Sequence, residues 1–200
     1  MSRFLREFKF LHFRGVPVFW HTSVCVGLVA SALLTKSVMS GAVAFFAYLL
    51  LILAHEIGHA VAAQTLNIDV FSLHVSAVHG RCVFGDPKNL RSHVAVAWGG
   101  VAAQFVVLIL AAMLAYMLHS VPDAAKKILS AAFFVWIPLN ILIMAINLLP
   151  LPGLDGFVAW RIFNLARTQD EKSDQMSQPE VPEAVVETEL ARILKKSKLS

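Results

Sequence analysis

Apolar residues run almost unbroken through four stretches of the chain, about Val16–Thr35, Ser37–Ile68, Ser92–Pro122 and Ile128–Leu154, with polar residues gathered between them. A membrane-spanning helix takes about 20 consecutive apolar residues, so each stretch is long enough. The pattern predicts an all-α polytopic membrane protein of about four transmembrane helices, at 16–35, 40–66, 93–119 and 128–149. The first two are joined by a short polar turn around Lys36–Ser40 and should run antiparallel. After the second, Val70, Ser72, His74 and Ser76 alternate with Phe71, Leu73, Val75 and Ala77. A period of two marks a strand. His79-Gly80 can turn it into a second short strand, Arg81–Phe84, ahead of the Gly85-Asp86-Pro87 break. A small cytoplasmic β-hairpin is therefore expected after the second span, with an edge able to accept an extended chain.

The flanks differ from this core, taken as residues 16–167. Residues 1–15 interleave aromatic and basic side chains, as segments lying on a membrane surface do. Residues 156–167 read as a short interfacial helix. The tail, 168–200, opens on a run rich in Gln, Ser, Pro, Glu and Asp that is expected to be disordered, and Glu183–Lys198 can form a terminal helix.

Composition supports a membrane setting. Of 200 residues, 58% are hydrophobic and 15% charged, with a mean hydropathy of +0.68, outside the usual range for a soluble domain. The net charge of +4 is unevenly distributed. Arg3, Arg6, Lys9, Arg14, Arg81, Lys88, Arg91, Arg161 and Arg167 fall on one side of the expected spans, and only Lys36, Lys126 and Lys127 on the other. By the positive-inside rule both termini and the 67–92 loop are cytoplasmic, as in a multi-pass protein of a bacterial inner membrane. The same placement gives no reason to expect nucleic acid as a partner. The first span is longer than a signal-peptide core and lacks a small-residue cleavage site before Lys36, so it reads as retained. Cys25 and Cys82 provide neither a disulfide framework nor a cysteine metal cluster.

Between Ser37 and Ile68 the only charged or near-neutral titrating side chains are His55, Glu56 and His59, in the sequence His55-Glu56-Ile57-Gly58-His59. Histidines at i and i+4 share a helical face and can share one metal ion. Glu56 lies about 100° around the helix, where it can act as general base on a water molecule. Such groups at membrane depth are costly and mark function. Two imidazoles leave a catalytic metal short of a ligand. Among the membrane-embedded acidic residues Asp155 is the candidate: it follows the fourth span on the same side, where Pro150 and Pro152 deny a regular helix.

Together, His55-Glu56-Ile57-Gly58-His59 and Asn147-x-x-Pro150-x-x-x-x-Asp155-Gly156 resemble the two signature motifs of the site-2 protease family of intramembrane zinc metalloproteases. The resemblance extends from about Ser40 to Phe157. It implies one zinc ion held by His55, His59 and Asp155, Glu56 as general base, and Asn147 with Asn140 near the substrate backbone or the developing oxyanion. Where the family has an asparagine in the span after the motif helix, this chain has Gln104, an amide retained and counted with the substrate-binding set. The implied substrate is a transmembrane protein cleaved in or near its span. Four spans are few for a groove that admits substrate and excludes lipid, so a partner subunit or second copy is expected. The alternative is a catalytically inactive zinc-binding scaffold that holds a partner membrane protein. A metal transporter would need polar groups across the whole bilayer, which the first and third spans lack. A glutamate as third ligand is excluded from the stretch between Glu56 and Glu171, which contains none.

Overall fold

The computed structural model describes residues 7–118 and 122–163. Its axis is the helix α2, Val38–Thr65, 28 residues long and so about 42 Å at 1.5 Å per residue. Ser37 caps it by accepting a hydrogen bond from the Ser40 backbone N–H. Before it, α1, Ser23–Thr35, runs up to a turn in which Lys36 adopts a left-handed φ of 52°. Ser31 Oγ donates to Gly41 O across this turn at 2.9 Å. A second 28-residue helix, α3, Leu90–Met117, is capped by the Asn89 side chain accepting from the Ser92 N–H. The last long apolar segment is α4, Asp123–Phe134, a π-helical turn, Val135–Leu139, and α5, Asn140–Asn147. A five-residue helix, α6, Asp155–Ala159, follows.

Three helical stretches are long and apolar enough to cross a membrane: Val38–Thr65, Leu90–Met117 and Ile128–Asn147. Their burial pattern is that of a protein in lipid. Phe46, Leu50, Phe105, Leu110, Met113, Phe134 and Leu142 are exposed, while Glu56, His59, Gln104 and Asn140 are buried. Apolar groups outward and polar groups inward is the arrangement a bilayer favours. Packing between such helices depends on close approach. At the α2–α3 crossing Gly58 faces Gly99, and a Cβ on Gly99 would sit 2.6 Å from Gly58 O.

The expected first span is corrected. Residues 16–21 belong to a strand, β2, Val16–His21, and the helix that follows has only 13 residues, about 20 Å against a hydrocarbon core of about 30 Å. The cause is a hairpin: β1, Glu7–Phe13, pairs antiparallel with β2 through Arg14 and Gly15, both at positive φ, as a two-residue hairpin turn requires. The expected hairpin after α2 is present as β3, Val70–Val75, and β4, Gly80–Phe84. It forms half of a four-stranded sheet, β1-β2-β3-β4, in which β2 and β3 are parallel. The protein is thus mostly helical with a small sheet rather than all-α. One face of the sheet packs on α2: Val16, Val18 and Leu73 meet Ala60, Leu53 and Ile57, and Val75 meets Phe45 and Leu49. Of the expected interfacial helix at 156–167, the described part is α6 and a turn at Trp160–Arg161. The tail, 168–200, lies outside the described residues, as do residues 1–6.

Candidate metal centre

The site assembles where α2, α3, β4 and α6 meet. His55 and His59, one turn apart on α2, bring their Nε2 atoms to 3.0 Å from each other. Asp155, the first residue of α6, places Oδ2 3.1 Å from His55 Nε2 and 3.3 Å from His59 Nε2. That oxygen is buried without an aligned hydrogen bond. Burial alone raises the Asp155 carboxyl, but the two imidazoles beside it outweigh burial and hold it well below the usual carboxylate range. Asp155 is therefore anionic at neutral pH.

Its position is built by the segment before it. The chain leaves α5, turns at Gly153, whose φ is +90°, and starts α6 against the end of α5. Any Cβ at Gly156 would overlap Leu148 O. Trp98 Nε1 donates to Ala159 O at 3.3 Å and Trp160 Nε1 to Leu148 O at 2.5 Å. The two indoles meet edge to face, 5.9 Å apart. Pro150 and Pro152 lie in the irregular segment between the helices, as the sequence predicts.

Two electron-pair-donating nitrogens and a carboxylate oxygen at mutual distances of 3.0–3.3 Å match the edges of a tetrahedron with bonds of about 2.0–2.1 Å, whose ligand atoms are about 3.3 Å apart. The donor set fits a divalent ion with a coordination position left open. Among the described residues this is the one group of three such side chains close enough to hold a metal. His59 Nδ1 lies 2.8 Å from Val96 O. A carbonyl only accepts, so this nitrogen carries the proton and Nε2 presents its lone pair. His55 Nδ1 lies 3.0 Å from Gln104 Oε1. Room for both rings comes from Gly100: a Cβ there would lie 2.6 Å from His55 Cε1 and His59 Nε2.

Glu56 is buried beside the triad. Strand β4 passes directly against its carboxylate, and only because position 80 is glycine: a Cβ at Gly80 would overlap that carboxylate. A cavity of about 600 Å³ opens over the site, lined by His55, Glu56, His59, Asp155, Asn147 and the hairpin tip, among others. Tyr48 on α2 holds the tip, its hydroxyl donating to Val78 O at 2.9 Å.

Of the expected substrate-side amides, Asn147 is on the cavity wall. Gln104 borders it at 1% exposure, and Asn140, at 0%, is buried behind it. His21, at the end of β2, lies 2.8 Å through Nδ1 from Ser23 Oγ and does not line this cavity. His79, His93 and Cys82 also line the cavity and were not singled out from the sequence. For His93 a signal existed, since it shares a helical face with Ala97, Gly100 and Gln104 at steps of four, three and four. For His79 and Cys82 it did not, because their places depend on how the sheet docks. Burial, then the Glu56 charge, pushes the Cys82 thiol up to about 12, so it stays protonated and is a poor metal ligand.

No family model matches the sequence, and a search of curated proteins gave no match. The fold does have a known counterpart. A site-2 protease from Methanocaldococcus jannaschii superposes with a TM-score of 0.60 over 79% of this chain and 71% of that one, at 15% sequence identity. The chain has the site-2 protease fold.

Proposed function

We propose that the protein is an intramembrane zinc metalloprotease of the site-2 protease family, cleaving peptide bonds in or near the membrane span of a protein substrate. The observation that carries this reading is the convergence of His55, His59 and Asp155 beside Glu56, in a cavity among membrane-length apolar helices. Zinc held by the two Nε2 atoms and the Asp155 carboxylate would supply the Lewis acidity that polarises a scissile carbonyl. Glu56 takes the proton of the attacking water and returns it to the leaving amine. Asn147, on the cavity wall, donates its amide to the substrate backbone.

A helical substrate shields its peptide bonds and must be unwound before attack. β4 is an edge strand of the sheet and passes beside Glu56, so an extended segment paired with it runs past the base. The distribution of basic residues along the sequence supports a cytoplasmic position for both termini and the 67–92 loop by the positive-inside rule.

Reconstituted with single-span candidate substrates, wild type is expected to cleave and to carry one zinc per chain. Glu56→Gln is expected to retain the zinc and lose about 10²- to 10⁴-fold in rate. Zinc binding without cleavage by wild type would leave the scaffold reading, and cleavage at equal rates in the two proteins would remove Glu56 as the base.

A further inference from the structure

We propose that Gln104 is a positioning residue for the metal centre: its side-chain oxygen holds the Nδ1–H of His55 and turns Nε2 toward the ion, and Asn140 anchors Gln104 there. The inference rests on His55, His59 and Asp155 being metal ligands. It assigns to both amides a role different from substrate binding.

Along one face of α3, at steps of four, come Val96, Gly100 and Gln104. Each meets the histidine pair. Val96 O takes the Nδ1–H of His59, Gly100 leaves room for the rings, and Gln104 Oε1 stands 3.0 Å from His55 Nδ1. The backbone thus settles the tautomer of one imidazole. For the other, a side-chain amide oxygen takes the place of the carbonyl. With Nδ1 protonated on Gln104, the lone pair of His55 Nε2 points at Asp155 Oδ2 and His59 Nε2, the arrangement a cation requires. At 1% exposure Gln104 is closed to a substrate.

Asn140 explains why Gln104 stays put. Its Nδ2 donates to Gln104 O at 3.0 Å and to Trp136 O at 3.3 Å. Both partners are carbonyls, so the amide can face only one way. The second bond follows from the π turn around Pro138. There the Asn140 backbone N–H reaches Val135 O and Ile137 O, while its side chain takes the Trp136 carbonyl. The extra residue in the turn swings Asn140 toward α3.

The test is zinc affinity in detergent, by chelator competition, with the cobalt-substituted visible spectrum as a second readout. Gln104→Glu keeps an acceptor and is expected to bind zinc at least as tightly as wild type, with an unchanged spectrum. Gln104→Met, near in volume but with no such acceptor, is expected to bind about 10- to 100-fold more weakly with a shifted spectrum; Gln104→Lys, a donor only, no better. A role in packing alone gives the reverse order, with Met tolerated and the buried Glu not. Asn140→Leu is expected to weaken binding about tenfold, with little further loss when added to Gln104→Met, because it acts through the same group. Wild-type affinity and spectrum in Gln104→Met overturn the proposal. If that variant does not fold, loss of zinc in Gln104→Glu or full affinity in Asn140→Leu overturns it. A wild type that binds no zinc overturns the metal reading itself, and this proposal with it.

Discussion

His55, Glu56, His59 and Asp155 were legible in the sequence because their chemistry is tied to local geometry. A helix puts residues i and i+4 on one face whatever surrounds it, and Pro150 and Pro152 announce the break that frees Asp155. Gln104 and Asn140 were legible only as polar groups at depth. Which way each faces depends on the α2–α3 crossing and on the π turn around Pro138, and neither shows in a hydrophobic pattern. The glycines carry a further prediction at this scale. Gly100 is bare because a side chain would strike both imidazoles. Gly100→Ala is therefore expected to lower zinc affinity at least tenfold while leaving the protein folded, read by chelator competition beside thermal unfolding. Unchanged affinity would mean that the rings have room to move aside.

Among the elements, α2, α3 and the last apolar segment are helical and long and apolar enough to cross a membrane, since apolar runs of that length leave few alternatives. The first span was misread for a physical reason. Val16–His21 is as apolar as the helix after it, and a strand buried in a sheet shows no alternation that would separate the two. Its turn, Arg14-Gly15, is not one of the common hairpin pairs. β2 lies between β1 and β3 and is paired on both sides at Val18, Phe19 and Trp20. The hairpin tip between β3 and β4 is tethered over the cavity by the Tyr48 hydroxyl. Tyr48→Phe is expected to destabilise that contact by about 1 kcal/mol and to raise hydrogen exchange at 76–80, with exchange in α2 unchanged. Equal exchange in both proteins would show the tip to be held by the sheet alone.

For the whole molecule, the proposed reaction demands water inside a scaffold that presents Phe, Leu and Met outward. The cavity along the middle and second half of α2 resolves the conflict, because polar side chains face it and the lipid side stays apolar. Sidedness was read from nine basic residues against three, and it is testable. In a variant lacking Cys25 and Cys82, a cysteine at Lys88 is expected to react with an impermeant reagent from the cytoplasm, and one at Lys126 from the opposite side. The reverse pattern would invert the orientation. The central claim, hydrolysis by Glu56 beside a zinc ion held by His55, His59 and Asp155, is tested most directly by titrating zinc into metal-stripped protein in proteoliposomes and following cleavage of single-span substrates. Cleavage should be absent without metal, reach its plateau at one zinc per chain and be lost in Glu56→Gln. Cleavage that survives metal removal, or that Glu56→Gln performs as fast as wild type, would contradict the account.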